Sequence, residues 1–320
     1  MAQLSADSLK LDAEKEIERT TAFVRSVLAT KLKRRGVIVA CSGGIDSSVV
    51  LFLCVRAVGK QRVFALLLNE RESSDETRAL GRAVVEAAGV QWADEDITPM
   101  LTAVGCYERR DAAIRSVVSD YGPGWKSKIV LPSFADDAAI RLFTVVARAP
   151  DGREVRARLD RDAYLGVVAA TNSKQRIRKL LEYYHADRLN YAVAGTPNLL
   201  EYDQGFFVKG GDGAADFKPI AHLYKTQVYQ LAGALGVPEA IRRRPPTTDT
   251  YSLAQSQEEF YFSLPYDKMD LALYALNNGY APGDAASALG LTAEQVERVY
   301  QDIHAKRAFA EYLHLPPVSV

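Results

Sequence analysis

Apolar positions along the chain change their period several times, and each change marks an element. From Leu9 to Arg35, residues Leu9, Ile17, Val24, Val27, Leu28 and Leu32 recur at roughly helical spacing among many charges, which predicts a long amphipathic helix stopped by Gly36. Val37 to Cys41 is apolar on both faces and rich in β-branched residues, the pattern of a short strand buried inside a parallel sheet. After a polar turn at Ser42 to Ser47, a helix is expected over Ser48 to Val58, a second buried strand over Val63 to Leu68, and a helix over Ser74 to Ala88. Strand and helix alternating in this order predict an α/β fold, a doubly wound parallel sheet with helices on both faces and right-handed crossovers. Ligands bind such sheets at the carboxyl ends of the strands.

The pattern weakens between residues 107 and 165. Gly122-Pro-Gly124 and Pro150-Asp-Gly152 are turn signals around a strand pair, Phe143 to Ala147 and Glu154 to Leu159, and the stretch reads as an insertion. Helical periodicity returns over Ser173 to Ala186, followed by a strand at Tyr191 to Ala194 and helices at about Lys225 to Leu235 and Gln257 to Leu264. Residues 1–265 therefore form one domain, and 266–320 extend it as an α-helical C-terminal part. That part holds three helices, Tyr266 to Ala275, Pro282 to Leu289 and Thr292 to Ala308, the last capped by Thr292. Their spacing is that of a helix-turn-helix, but one Arg or Lys between Pro282 and Tyr300 makes a packing pair the better reading than a DNA-reading surface.

Charge narrows the function classes. Lys plus Arg and Asp plus Glu are 40 each, so no global field favours nucleic acid or an anionic membrane. The first residues lack the apolar core of a signal peptide, and no run approaches transmembrane length. Three cysteines, Cys41, Cys54 and Cys106, have no metal-ligand spacing and read as reduced thiols of a cytoplasmic protein.

The chemistry concentrates in the turn between the first buried strand and its helix, Ser42-Gly43-Gly44-Ile45-Asp46-Ser47-Ser48. Backbone N–H groups and the helix dipole at such a turn attract phosphate oxygens, two glycines allow close approach, and three hydroxyls add donors. Asp46 is suited to hold Mg²⁺ against the charge of a departing pyrophosphate. Without a Gly-Lys-Ser/Thr end this is not a Walker motif. A plain tight turn with Asp46 as a helix cap is the alternative. Later, Gly195-Thr-Pro-Asn-Leu-Leu-Glu201 puts a small hydroxyl and then a carboxylate after a strand end, where Glu201 is placed to complete a metal shell. Lys209 and Gly210-Gly-Asp212-Gly213-Ala-Ala-Asp216 set a cation and two carboxylates in irregular backbone. Lys225 opens a helix, and Thr247 follows Pro245-Pro246; either is in a position to reach a nucleotide. Asn172-Ser-Lys174-Gln-Arg176-Ile-Arg178 sets three cations on adjacent helical turns, a grip for phosphates or else a solvated face.

The SGGxDS string in a strand-loop-helix setting resembles the pyrophosphate loop of the N-type ATP pyrophosphatases, which adenylate a substrate and release pyrophosphate. The ordered patterns G-T-x-N-x-x-E, G-F-F-x-K-x-G-D-G-x-x-D, P-I-x-x-L-x-K-T-Q-V and P-T-x-D narrow the resemblance to the ammonia-dependent NAD synthetases, over about Val37 to Leu68 and Asn172 to Tyr266. The resemblance implies an adenine nucleotide alpha hydrolase-like fold and an AMP-forming amide ligase using ATP and Mg²⁺. By the same resemblance Ser42 to Ser48, Thr196, Lys225 and Thr247 hold ATP, and Asp46 and Glu201 bind the metal. Arg176, Lys209, Asp216 and Lys306 meet the acid substrate, with Arg176 reaching across the interface of a homodimer. Asp46, Glu201 and Lys225 carry the catalysis. Ammonia arrives free or from a separate protein. Three places depart from the family: Leu67 stands where an arginine often approaches adenine, Ala305-Lys306 replaces a His-Lys pair, and the stretch Tyr107 to Leu165 is longer than the family leads one to expect. A sibling synthetase amidating another carboxylate is the main alternative; a tRNA-thiolating enzyme and a nucleotide sensor without catalysis are the others.

Overall fold

The computed structural model describes residues 3–130, 143–247, 250–253, 255–256, 258–262 (backbone alone at 258 and 259) and 264–319. The chain opens with α1 (Ala13–Ser26), whose first turn is closed by the Asp12 carboxylate accepting from the Lys15 amide, and continues as a wider π-type turn over Val27–Leu32. Lys33, in the left-handed region at φ 51°, ends it three residues before Gly36. Then come β1 (Val37–Ala40), α2 (Ile45–Val58), β2 (Val63–Leu67), α3 (Asp75–Ala88) and β3 (Gln91–Asp94). Two short helices, α4 (Thr98–Ala103) and α5 (Cys106–Arg115), lead to β4 (Lys126–Val130), β5 (Thr144–Arg148) and β6 (Glu154–Arg158). The 29-residue α6 (Arg161–Leu189) carries the chain back to β7 (Ala192–Val193), followed by α7 (Leu199–Gln204), α8 (Lys225–Ala234) and α9 (Glu239–Arg243). The helices α10 (Tyr266–Asn277), α11 (Pro282–Leu289) and α12 (Ala293–His314) close the fold.

Among the described residues the strands form two sheets. The larger is parallel, in the order β3-β2-β1-β7. Alternation along β1 sends Val37 and Val39 into a core with α1, α2 and α8, and Ile38 into an opposite core with α4, α5 and α6. Helices thus cover both faces, as the doubly apolar strands require. The chain first moves outward from β1 to β2 and β3, then returns through α6 to pair β7 on the other side of β1. Neighbouring connections diverge between β1 and β7, the crevice where such sheets place ligands.

Several sequence expectations shift. The edge strand β3 is missed because Gln91, Trp92 and Asp94 are exposed and carry no buried pattern. The helix expected from Ser173 begins at Arg161, where the Asp160 carboxylate caps the Ala163 amide; Gly166, Ala169 and Ala170 blur its apolar period. Cys106 and Tyr107 lie in the core beneath the large sheet, so the first part of the 107–165 stretch belongs to the body of the fold. What stands apart is the antiparallel sheet β4-β5-β6, packed on the start of α6 through Ile129, Val145, Leu159 and Val167. Gln257 and Ser263 of the helix expected over 257–264 lie outside the described residues, and Glu258–Phe262 forms a π-type turn. The C-terminal helices share one core with Leu4, Leu9 and Leu200, and the Thr292 side chain accepts from the Gln295 amide as a cap.

Candidate active site

Residues 42 to 48 leave β1 and enter α2 in one tight turn. Gly43 sits at φ +73°, and a Cβ there would lie 2.8 Å from the Gly81 amide nitrogen, so turn and α3 meet backbone to backbone. Gly44 is the N-cap of α2 and makes no side-chain cap, which leaves the first N–H groups of that helix free for an anion. Ser42 and Ser47 brace one another at 3.3 Å, and the Ser47 hydroxyl also lies 3.1 Å from the Gly44 carbonyl. Ser48 is fully buried with its hydroxyl donating to the Gly44 carbonyl at 2.8 Å, so it stiffens the turn from within.

The turn faces β7 across the crevice. There Asn198 and Glu201 form a reciprocal cap at the start of α7: the Glu201 amide donates to Asn198 Oδ1 at 3.1 Å, and the Asn198 amide to Glu201 Oε2 at 3.2 Å. Asn198 Nδ2 then donates to Asp46 Oδ1 at 3.0 Å, so one side chain ties α2 to α7. Sequence reasoning quoted this asparagine in a motif without giving it a role; the signal was an Asn three residues before a Glu at a helix start. The ammonium of Lys225, at the first turn of α8, pairs with the other Asp46 oxygen and lies 5.3 Å from the Tyr266 ring centre. Burial first, and then the Asp46 charge, push the Glu201 carboxyl up to about 8. Two acids held close in a dry place, with one lysine between them, describe a site short of positive charge.

A cavity of about 680 Å³ opens over this turn. Ser42, Gly43, Gly44, Ile45, Asp46, Ser47, Thr196, Glu201, Lys225 and Thr247 all line it, as do Arg176 and Lys209. Arg176 Nε donates to the Lys209 carbonyl at 3.3 Å, and the Lys209 ammonium donates to the carbonyls of Tyr312 and Leu315 at the end of α12. Three sequence-named cations or acids are engaged within the protein, two of them away from the cavity. Asp216 is exposed and accepts from the Val193 amide at 2.7 Å, and the Lys306 ammonium is engaged by Asp302 and the Tyr261 carbonyl; neither lines the cavity. Lys174 borders it but is 1% exposed, its ammonium 2.7 Å from both Glu70 and Glu72. Of the three-cation grip on α6, Arg176 and Arg178 remain for a ligand, although Arg178 also donates to the Leu68 carbonyl. Sequence reasoning overlooked Arg244, which reaches the wall from the end of α9 and donates to the Thr77 hydroxyl at 2.8 Å, and the stacked pair Phe143 and Tyr164.

For a divalent cation the donor set is two carboxylates. Among the described residues no cluster of three or more His, Cys, Asp or Glu is placed to hold a metal by itself. That fits Mg²⁺, which keeps several waters and takes one or two carboxylates together with phosphate oxygens. No helix among the described residues is long and apolar enough to cross a membrane.

Comparison with known proteins gives this geometry a family. A model described as NAD synthase matches residues 16–118 and 153–310. The NH(3)-dependent NAD(+) synthetase of Rhizobium meliloti (strain 1021) is 58% identical over 316 residues, 99% of this chain and 94% of that protein. Among solved structures, NMN synthetase from Francisella tularensis has a TM-score of 0.64 at 21% identity, covering 97% of this chain and 99% of that one. NH3-dependent NAD synthetase from Campylobacter jejuni, solved with a nitrate ion, has a TM-score of 0.62 at 22% identity, covering 97% and 100%; both structural likenesses speak to the fold. Matched by the family model on both sides of β4 and β5 and by a relative along nearly its whole length, the chain belongs to the NAD synthase family.

Proposed function

We propose that the protein is an ammonia-dependent NAD synthetase, converting deamido-NAD to NAD with ATP. The observation that carries this reading is the convergence of the open α2 N-terminus, the Asp46 and Glu201 carboxylates and the Lys225 ammonium on one wall of a large cavity, in a chain of this family. The turn at 42 to 47 cradles the phosphates of ATP, with Thr196 and Thr247 as further contacts. Lys225 leaves Asp46 to meet phosphate charge. Asp46 and Glu201 hold Mg²⁺, which when bound neutralises charge on the triphosphate and its leaving pyrophosphate. With the cation bound, Glu201 would serve as a carboxylate ligand.

Arg176 and Lys209 hold the acid dinucleotide so that one carboxylate oxygen faces the α-phosphorus. Its attack forms the acyl-adenylate and releases pyrophosphate; ammonia then adds at the acyl carbon, the bond to AMP breaks, and a proton leaves the nitrogen. No covalent bond to the protein forms, so catalysis is positioning and charge stabilisation. A homodimer is part of this reading, supported by the exposed Leu180 and Tyr184 on α6, the helix that also carries Arg176. So is a cytoplasmic setting, supported by three unpaired thiols, all buried. Ammonia comes free or from a separate protein.

The test is pyrophosphate release with ATP, Mg²⁺, ammonia and a panel of carboxylates that includes nicotinic acid adenine dinucleotide and its mononucleotide. Turnover with the dinucleotide and NAD as product supports the reading. Turnover only with another acid replaces it with a sibling amide synthetase.

A further inference from the structure

Two of the three strands of the small sheet are passed over by the family model: its match stops at 118 and resumes at 153, and β4 and β5 lie between. This sheet does more than cover the start of α6. β4 is at its edge, and the free side of β4 is taken up by Ser252, Leu253 and Gln255. The Ser127 amide donates to the Ser252 hydroxyl at 2.8 Å, the Leu253 amide donates to the Ser127 carbonyl at 3.2 Å, and Gln255 Nε2 donates to the Ile129 carbonyl at 2.5 Å. Ser127 is itself buried, and the Tyr251 ring enters the small sheet's core beside Ile129 and Leu159. At the near end of the same segment, the Lys174 ammonium donates to the Thr250 carbonyl at 2.9 Å.

Pro245, Pro246 and Thr247, together with Thr250 and Tyr251, thus line one side of the cavity, and of the described residues beyond Thr247, Thr250 is fastened to α6 while Ser252 and Gln255 are fastened to β4. The inserted sheet also reaches the same wall directly, through Phe143, whose ring stacks on Tyr164 with centroids 4.3 Å apart. Thr247 itself is paired with Ser256 by a single antiparallel bridge, so the hydrogen bonds of Ser252 and Gln255 to the edge strand help to fix it.

We propose that the β4 edge positions the Thr247 segment for ATP, with Ser252 and Gln255 as positioning residues acting through backbone groups of Ser127 and Ile129. This rests on the reading of Thr247 as a nucleotide contact. Removing a fastening leaves the phosphate turn and the acid-substrate residues in place and makes the nucleotide wall costlier to order. The cost falls on ATP binding more than on the chemical step.

The experiment uses full-length Ser252→Ala, Ser252→Thr and Gln255→Ala proteins. Steady-state kinetics for both substrates, calorimetric ATP affinity, and hydrogen exchange of peptides covering 250–255 are measured on each. Ser252→Ala is expected to raise the KM and Kd for ATP about fivefold, with kcat and the KM for the acid within twofold of the parent, and to speed exchange over 250–255. Ser252→Thr is expected to restore ATP affinity. If Ser252→Ala fails to fold, Gln255→Ala carries the same test, since it removes one buried amide contact, to the Ile129 carbonyl, and leaves the Ser127 pairing. Unchanged ATP affinity while exchange over 250–255 is faster overturns the proposal, as does an equal rise in both KM values. A parent protein that binds ATP, with variants that bind it equally well, overturns this proposal alone; a parent that binds no ATP overturns the functional reading and takes this one with it.

Discussion

Asn198 spends its side chain on two carboxylate residues at once, donating to Asp46 and accepting from the Glu201 amide. The spacing of the two acids is therefore held by a neutral group that touches no ligand in the proposed reaction. Asp46→Ala is expected to abolish pyrophosphate release while far-ultraviolet dichroism stays near the parent's and melting falls with the loss of the Lys225 and Asn198 partners; turnover at the parental rate removes it from the metal site. Asn198→Ala is expected to cost about 10- to 100-fold in activity, as loss of an orienting partner does at metal sites, together with about 1 kcal/mol of stability from the lost cap. Apparent Mg²⁺ affinity separates the two effects, and an unaltered affinity would make Asn198 a cap only. At this scale the phosphate turn was legible because its chemistry is local: seven consecutive residues contain the glycines, the hydroxyls and the acid. Asn198 was less so, since its partner Asp46 is 152 positions away. Asp216 and Lys306 show the reverse limit, where a motif position names a residue and the backbone directs it away from the cavity.

The phosphate turn depends on α3 as much as on its own sequence. With Gly43 at positive φ and its missing Cβ space filled by Leu80 and Gly81, Gly43→Ala is expected to lose about 1–3 kcal/mol through strain and contact, and ATP binding with it. Urea midpoints and ATP affinity check this, and a variant as stable as the parent would show that the loop relaxes freely. A second element-level device is the start of α8. The Asp270 carboxylate, fully buried on α10, accepts from the Thr226 amide at 2.6 Å, yet burial outweighs that bond and pushes the acid up to about 6. A carboxyl raised in the folded state contributes stability that is present below its ordinary value and lost as pH rises through about 6. Asp270→Asn, with no proton to lose, is therefore expected to gain on the parent between pH 5 and pH 8. Equal stability differences at the two values would mean that Asp270 titrates normally. The parallel strands and most helices were readable because burial on both faces leaves unbroken apolar runs. By contrast, β4 and β3 are short strands with polar positions, and their pairing depends on partners that local pattern does not name.

At the scale of the whole molecule, the charges that composition counts as ordinary surface include a buried network. Lys174 on α6 meets Glu70 and Glu72 after β2; Arg110 on α5 meets Glu72 and Asp111; the Tyr107 hydroxyl donates to Glu70 at 2.7 Å. The sequence scatters these groups over about a hundred positions, where each reads as a solvated charge. Folding gathers them between the large sheet and the helices that lead to the small one. Because Lys174 also donates to the Thr250 carbonyl, the network joins the frame of the protein to the cavity wall. Lys174→Met keeps most of the volume but leaves the fully enclosed Glu70 without its cation and Glu72 with Arg110 alone, so a loss of about 3–5 kcal/mol is expected. Glu72 is held below the usual carboxylate range against its burial, first by Lys174 and then by Arg110, so the variant should recover part of that loss as pH falls and the stranded acids take up protons. Urea unfolding at pH 5 and pH 8 decides the matter. A penalty that is larger at pH 8 identifies uncompensated charge as the cause, whereas a penalty independent of pH would assign the role of Lys174 to packing and leave the frame held by the hydrophobic cores alone.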